Sequence, residues 1–281
     1  MPQRLPAVAG SFYPADPETL RREIHSLLEA AASESPGEIV GLLAPHAGYV
    51  YSGPVAAEAY RHLRSRSYDA VILIGPSHRV HLEYSAVFVD GRWQTPLGNV
   101  RVAAELATAI CTAGGDSVRA DESVHMVRGH AGEHSLEVQI PFLQTVLEDV
   151  PIVPIMMGKQ SPAEASVLAS AITEAAAGKR VLLIASSDLS HFHSDREARM
   201  LDGRIQEAVA LFDPAVLWQA IRKEGSEACG AGPLAAVMEA SRQLGARRAV
   251  PLSYATSADV PLGSRSNVVG YLAAAFVRGA A

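Results

Sequence analysis

Leu20, Ile24, Leu27, Leu28 and Ala31 recur at helical spacing behind an Asp16-Pro17 pair. Proline is preorganised for the first turn of a helix, so the spacing predicts an amphipathic helix running up to Ser35-Pro36-Gly37. Four short, almost unbroken apolar runs follow: Ile39 to Ala44, Ala70 to Ile74, Ile152 to Met157 and Val181 to Ala185. A strand with one wet face alternates, whereas runs of this kind predict strands covered on both faces. Helix-type patterns separate most of them, at residues 54–64, 102–113, 135–148, 162–177, 195–211, 214–223 and 233–244. The order predicts an α/β fold with helices on both faces of the sheet.

Between 84 and 102 the chain alternates and turns at Asp90-Gly91 and Leu97-Gly98, which predicts antiparallel hairpins and hence a mixed sheet. Ala249 to Tyr254 and Val268 to Val277 read as further strands, with Pro251 restricting the first to an edge or an irregular strand. Without an internal repeat or a long linker, residues 1–281 are expected to form one domain.

Composition narrows the function. Lys and Arg total 24 against 30 Asp and Glu, a formal net charge of −6, so the chain lacks the basic footprint of a nucleic-acid binder. Small molecules or proteins are the expected partners. Hydrophobic residues make up 48% and charged residues 19%, which excludes a disordered chain. No apolar stretch reaches the roughly 18 residues of a membrane span, and the opening residues lack a secretory signal, so a cytoplasmic location is expected. Cys111 and Cys229 are too few for a disulfide scaffold, although one bridge between them stays open.

In open α/β sheets, chemistry gathers where strands end and loops meet helix N-termini. Three predicted strands end in segments that carry histidine: Pro45-His46-Ala47-Gly48, Gly75-Pro76-Ser77-His78 and Ser186-Ser187-Asp188-Leu189-Ser190-His191. Each alone reads as a loop hydrogen bonder. Together, His46 and His78 read as a metal-ligand pair, because both follow a proline that fixes the chain direction. His81, three residues further, ranks below His78. Cys229, in Glu227-Ala228-Cys229-Gly230-Ala231-Gly232-Pro233, is the candidate third ligand; a helix N-terminus is expected to lower its pKa. Cys111 reads as a small core residue.

His191 with Asp188 three residues before it reads as a general acid/base whose tautomer a carboxylate orients; a helix cap is the plainer alternative for Asp188, and more so for Ser194. His130 and His134 lie four apart, yet the intervening Gly132 spoils the helix that a zinc-type pair needs, which leaves His134 as a pocket-lining candidate.

At PHAGYVYSG (45–53), GPSH (75–78), EHSLEVQIPFL (133–143), SSDLSHF (186–192), CGAGP (229–233) and VVGYLAAAF (268–276), with AGSFYP (9–14) ahead of them, the chain resembles the Memo-like family. Bacterial members of that family form the B component of the AmmeMemoRadiSam system. The resemblance implies the fold of class III extradiol dioxygenases, a mixed sheet flanked by helices with a metal at one sheet end. It implies a two-histidine, one-cysteine site at His46, His78 and Cys229, with His191 at the acid/base position and Asp188 as its neighbour. It also implies partnership with an AMMECR-type protein and a radical SAM enzyme.

Dioxygenases complete their facial triad with a carboxylate, whereas here a thiolate would stand in its place. That change disfavours ring cleavage and suits softer metals, so Fe(II) is expected first, copper second and zinc below both. Glu227, two residues from Cys229, is the alternative donor. Tyr49, Tyr51 and Ser52, just after the first ligand, are candidate contacts for an unknown small substrate. The two functional readings are a metal-dependent oxidoreductase and a non-catalytic metal-binding or peptide-binding adaptor in redox signalling.

Overall fold

The computed structural model describes residues 2–126, 132–261 and 263–279; His130 lies outside them. In chain order the strands are β1 (Gln3–Arg4), β2 (Ile39–Ala44), β3 (Ala70–Pro76), β4 (Ser85–Val87), β5 (Arg92–Thr95), β6 (Gly98–Arg101), β7 (Val118–Ala120), β8 (Ile152–Met157), β9 (Val181–Ser186), β10 (His191–His193), β11 (Arg248–Thr256) and β12 (Val268–Val277). The helices are α1 (Pro17–Ala30), α2 (Tyr49–Tyr60), α3 (Ala104–Gly114), α4 (Ile140–Val146), α5 (Pro162–Ala175), α6 (Asp195–Ala210), α7 (Pro214–Glu224) and α8 (Ala231–Gln243).

The four apolar runs are the centre of the main sheet, in the order β2, β9, β3, β8, all parallel. β12 joins β2 antiparallel and β4 joins β8 antiparallel, so the sheet is mixed. Because side chains alternate across a strand, neighbouring residues feed opposite faces. Leu43, Ile72 and Leu183 pack against α3, α5 and α8, whereas Leu42, Leu73 and Leu182 pack under α1, α2 and α4. The fold is therefore α/β with helices on both faces, as the runs without a polar side had implied.

α1 begins as expected, with Asp16 capping the Thr19 backbone N–H at 2.9 Å and Leu20, Ile24 and Leu28 buried. The segment 84–102 forms only one of its two expected hairpins. β5 and β6 pair antiparallel and join β1 in a separate three-stranded sheet, but β4 lies between β8 and β7 in the main sheet. All three β4 residues are buried, and that burial drew the strand into the larger sheet instead of onto its chain neighbour. Among the described residues β11 pairs only with β12, and its register slips between Pro251 and Ser253, which matches an edge strand carrying a proline. Among the described residues, no helix is long and apolar enough to cross a membrane.

Candidate metal centre

Parallel strands β2, β9 and β3 end at the same edge, so the residues that follow them, His46, Ser187-Asp188 and His78, are neighbours in space. α8 packs across these strands and brings Cys229, just before its first turn, to the same edge. A side chain at Gly230 would place its Cβ 2.5 Å from the Ser186 carbonyl oxygen; only glycine lets the cysteine loop lie so close on β9. The donor atoms of His46, His78 and Cys229 all come within 4.8 Å of one another. Donors bound to a single ion at about 2.0–2.3 Å stand about 3.3–3.8 Å apart in a tetrahedral arrangement, inside that limit. Cys229 Sγ and His46 Nε2 are 3.2 Å apart.

The residues present fit a transition metal in their chemistry as well. His46 is buried, and that burial, followed by the neighbouring His134 and His78 rings, holds its pKa well below the ordinary imidazole value. It therefore stays neutral, as a ligand must. His78 Nδ1 lies 3.0 Å from Glu133 Oε1, and its backbone N–H donates to Glu133 Oε2 at 2.6 Å. A carboxylate there holds the proton on Nδ1 and leaves Nε2 for an ion. Burial pushes the Glu133 carboxyl up, but hydrogen bonds from His78 and from the Ser135 backbone overcome it and hold the group ionised, well below its ordinary value. The His78 side chain is 28% exposed, so the site opens to solvent on that side.

Cys229 departs from expectation. Burial and the nearby Asp188 charge push its thiol up, outweighing the hydrogen bond from the Asp188 backbone N–H at 3.3 Å. Here desolvation and the nearby Asp188 and Glu133 charges exceed the pull of the helix end. Glu227 does not substitute for the thiol, because its carboxylate turns away to accept the His191 backbone N–H at 3.2 Å and lies 3.1 Å from His193 Nε2. His81 is exposed beside Glu83, away from the trio. Both cysteines are free thiols.

Asp188 does not orient His191. Its Oδ1 accepts the His46 backbone N–H at 2.7 Å, while His191 Nδ1 lies 2.8 Å from the Leu189 carbonyl oxygen, which accepts its proton. Both side chains line the same cavity, yet each is engaged by a different partner. A carbonyl thus fixes the His191 tautomer and leaves Nε2 free, and burial lowers the pKa of the ring. Ser194 is a helix cap, accepting the Glu197 backbone N–H at the start of α6.

α2 begins at Tyr49, five residues earlier than the pattern had indicated, and this changes its candidates. A helix turns about 100° per residue, so Tyr49, Tyr51 and Ser52 cannot share one face. Tyr49 is buried and donates to the Val138 carbonyl at 2.7 Å, and Ser52 donates to the Ala47 carbonyl at 2.9 Å. Both are structural. Tyr51 alone faces outward, onto a cavity of ≈ 810 Å³ that Phe12, His134, Asp188, His191 and Tyr271 also line. His134 packs its ring parallel to His78 with centroids 5.0 Å apart, and burial lowers its pKa to about 4.

Glu133, Ser186 and Tyr271 escaped the sequence reading. Glu133 sits directly before His134, the one local sign of an acidic partner, whereas Ser186 and Tyr271 look like ordinary strand residues.

The chain is similar to known proteins over nearly its whole length. It is 39% identical to the MEMO1 family protein MK0963 of Methanopyrus kandleri, covering 99% of this chain and all of that one. It is 40% identical to a MEMO1 family protein of Methanosarcina mazei, covering 97% and 98%. A solved structure, the uncharacterized protein JW3007 from Escherichia coli K12, shares the fold at a TM-score of 0.50 and 13% identity, over 83% of this chain and 99% of that one. The family model described as Memo-like protein matches residues 4–275, and the chain belongs to the Memo-like family.

Proposed function

We propose that this chain is a metal-dependent oxidoreductase in which His46, His78 and Cys229 hold Fe(II) or copper beside a cavity for a small substrate. The observation that carries the reading is the convergence of two imidazole nitrogens and one sulfur, from three distant stretches of chain, within 4.8 Å. The mixed nitrogen and sulfur set suits a redox-active ion better than an all-oxygen cation such as Mg²⁺. When bound, such an ion supplies electron transfer and open coordination positions for an oxygen-containing ligand.

The chain's own residues would do the rest. Glu133 raises the basicity of His78 and fixes its ring. His191, with Nδ1 engaged by Leu189 and Nε2 free at the cavity wall, would take a proton from a bound substrate and return it. Phe12 and Tyr51 give the cavity apolar walls that would orient a small molecule and displace water.

Metal analysis of protein purified without oxygen tests the site. His46→Ala, His78→Ala and Cys229→Ala are each expected to lose iron or copper, and metal content unchanged in all three would end the proposal. Oxygen uptake by the iron-loaded protein over a panel of small phenols and thiols tests the chemistry. An intact site with no uptake on any of them would favour the adaptor reading.

A further inference from the structure

The ring of His46 carries its proton on Nδ1 or on Nε2, and only the first choice points a lone pair at the Cys229 sulfur. A chain of five buried polar groups that begins at the ring decides between them. Ser186 Oγ lies 2.9 Å from His46 Nδ1, and Gln139 Nε2 donates to that same hydroxyl oxygen at 2.8 Å. The Gln139 amide cannot be turned over, because its Nε2 also donates to the Pro45 carbonyl at 2.9 Å while its Oε1 accepts the Tyr60 hydroxyl at 2.8 Å. Ser186 must therefore accept from Gln139. Its own proton goes to the Ser135 carbonyl oxygen 2.6 Å away, an atom that can only accept. What remains toward His46 is an oxygen lone pair.

From this geometry we infer that Ser186 is the positioning residue that locks His46 as the Nδ1–H tautomer and aims its Nε2 at the ligand point, with Gln139 holding the serine in register. The inference rests on the metal reading for its purpose, though not for its geometry. The two histidine ligands are then supported differently: His78 by an ionised carboxylate, His46 by a neutral hydroxyl. All members of the second support are buried, so an alternative proton arrangement would leave a donor facing a donor or two lone pairs in contact without water. A serine hydroxyl leaves the His46 nitrogen a weaker electron donor than the carboxylate-backed His78, which makes the pair electronically unequal.

Histidine-selective ¹⁵N–¹H correlation on the metal-free wild-type protein reads the tautomer directly. The Nδ1–H pattern at His46 is expected, and an Nε2–H pattern there would overturn the inference without any variant being made. Ser186→Ala should mix the two tautomers and weaken Fe(II) binding about 10- to 100-fold, in the range seen when a supporting partner of a ligand is removed. Ser186→Thr, which keeps the hydroxyl, should restore both. A Ser186→Ala protein with the Nδ1–H pattern intact and wild-type Fe(II) affinity would refute the assignment. Failure of the wild-type protein to bind Fe(II) or copper, with the Nδ1–H pattern present and lost in Ser186→Ala, would remove the metal reading and leave the role of Ser186 standing.

Discussion

The Asp188 carboxylate accepts the backbone N–H of His46 at 2.7 Å, which ties the loop after β2 to the loop after β9. The Asp188 carbonyl also accepts the Cys229 backbone N–H at 3.2 Å. One residue thereby sets the distance between a candidate nitrogen ligand and the candidate sulfur ligand. Burial raises its carboxyl pKa to about 7 against the hydrogen bonds from His46 and Ala47.

Removal of that carboxylate should therefore loosen the site more than it affects proton transfer. Asp188→Ala leaves the buried His46 N–H without its acceptor, at about 1–3 kcal/mol, and frees the half-buried Ala47 N–H. Urea unfolding is expected to show a loss in that range, with Asp188→Asn, which retains an acceptor oxygen, losing less. Since Leu189 rather than Asp188 holds the His191 proton, the His191 tautomer should be the same in wild type and Asp188→Asn. A His191 ring that changes tautomer in Asp188→Asn would restore the pairing that the loop geometry rejects.

Glu133 gathers four N–H groups, from His78 twice and from the backbones of His134 and Ser135. Glu133→Gln keeps the shape but brings two donors where only acceptors fit and removes the negative charge behind His78. Metal affinity is expected to fall about 10- to 100-fold, and stability by about 1–3 kcal/mol, by competition with a chelator and by urea titration respectively. Equal metal affinity in variant and wild type would show that His78 needs no acidic support.

The extent to which the sequence revealed this site follows from how each part is built. His46 and His78 were readable because apolar strands and prolines mark where a parallel strand stops, and Cys229 because glycines and Pro233 mark a helix start. These are local signals. The supports of the ligands were not readable, because Glu133, Gln139 and Ser186 meet the site across at least 47 residues of chain: the register of β9 beside β2 brings Ser186 there, and the segment ahead of α4 brings Glu133 and Gln139. The helix pattern at 54–64 begins at Pro54, but in the fold Pro54 is the sixth residue of α2, where it removes the bond to the Val50 carbonyl. That shift is why Tyr49 and Ser52 proved structural. The thiol expectation failed on magnitude, since a helix terminus acts over one turn whereas burial acts on the whole group.

His125 supplies a pH test remote from the ligands. It is buried against Phe88 and Trp93, with its Nε2 3.1 Å from the Ala86 carbonyl oxygen. Burial lowers its pKa to about 4, opposed by the Ala86 bond, with Arg4 lowering it further and Asp121 and Glu133 raising it. The folded value lies below the unfolded value near 6.5, so the unfolded chain takes up the proton first as pH falls. The stability that neutral burial provides is complete above about pH 6.5 and is lost as pH drops toward 4, by about 3 kcal/mol in all at about 1.4 kcal/mol per pH unit. Urea midpoints at pH 7 and pH 5 should show a smaller decline in His125→Gln than in wild type. Parallel declines would mean that His125 is already protonated in the fold or accessible to water.

The raised thiol of Cys229 makes metal uptake a proton-releasing event. Metals bind the thiolate, whereas burial and the Asp188 charge keep this sulfur protonated in the metal-free protein at neutral pH. One proton must therefore leave Cys229 for each ion bound, and the apparent affinity should rise about tenfold per pH unit from that group alone. At pH 8, where Asp188 with its pKa of about 7 is mostly ionised already, the count is cleanest. Calorimetric titration in two buffers of different ionisation enthalpy is expected to give close to one proton released per ion in wild type, and none in Cys229→Ala, whose binding should be weaker and nearly independent of pH between 7.5 and 8.5. Equal proton release by the two proteins would place the sulfur outside the coordination sphere and leave His46 and His78 to bind without it.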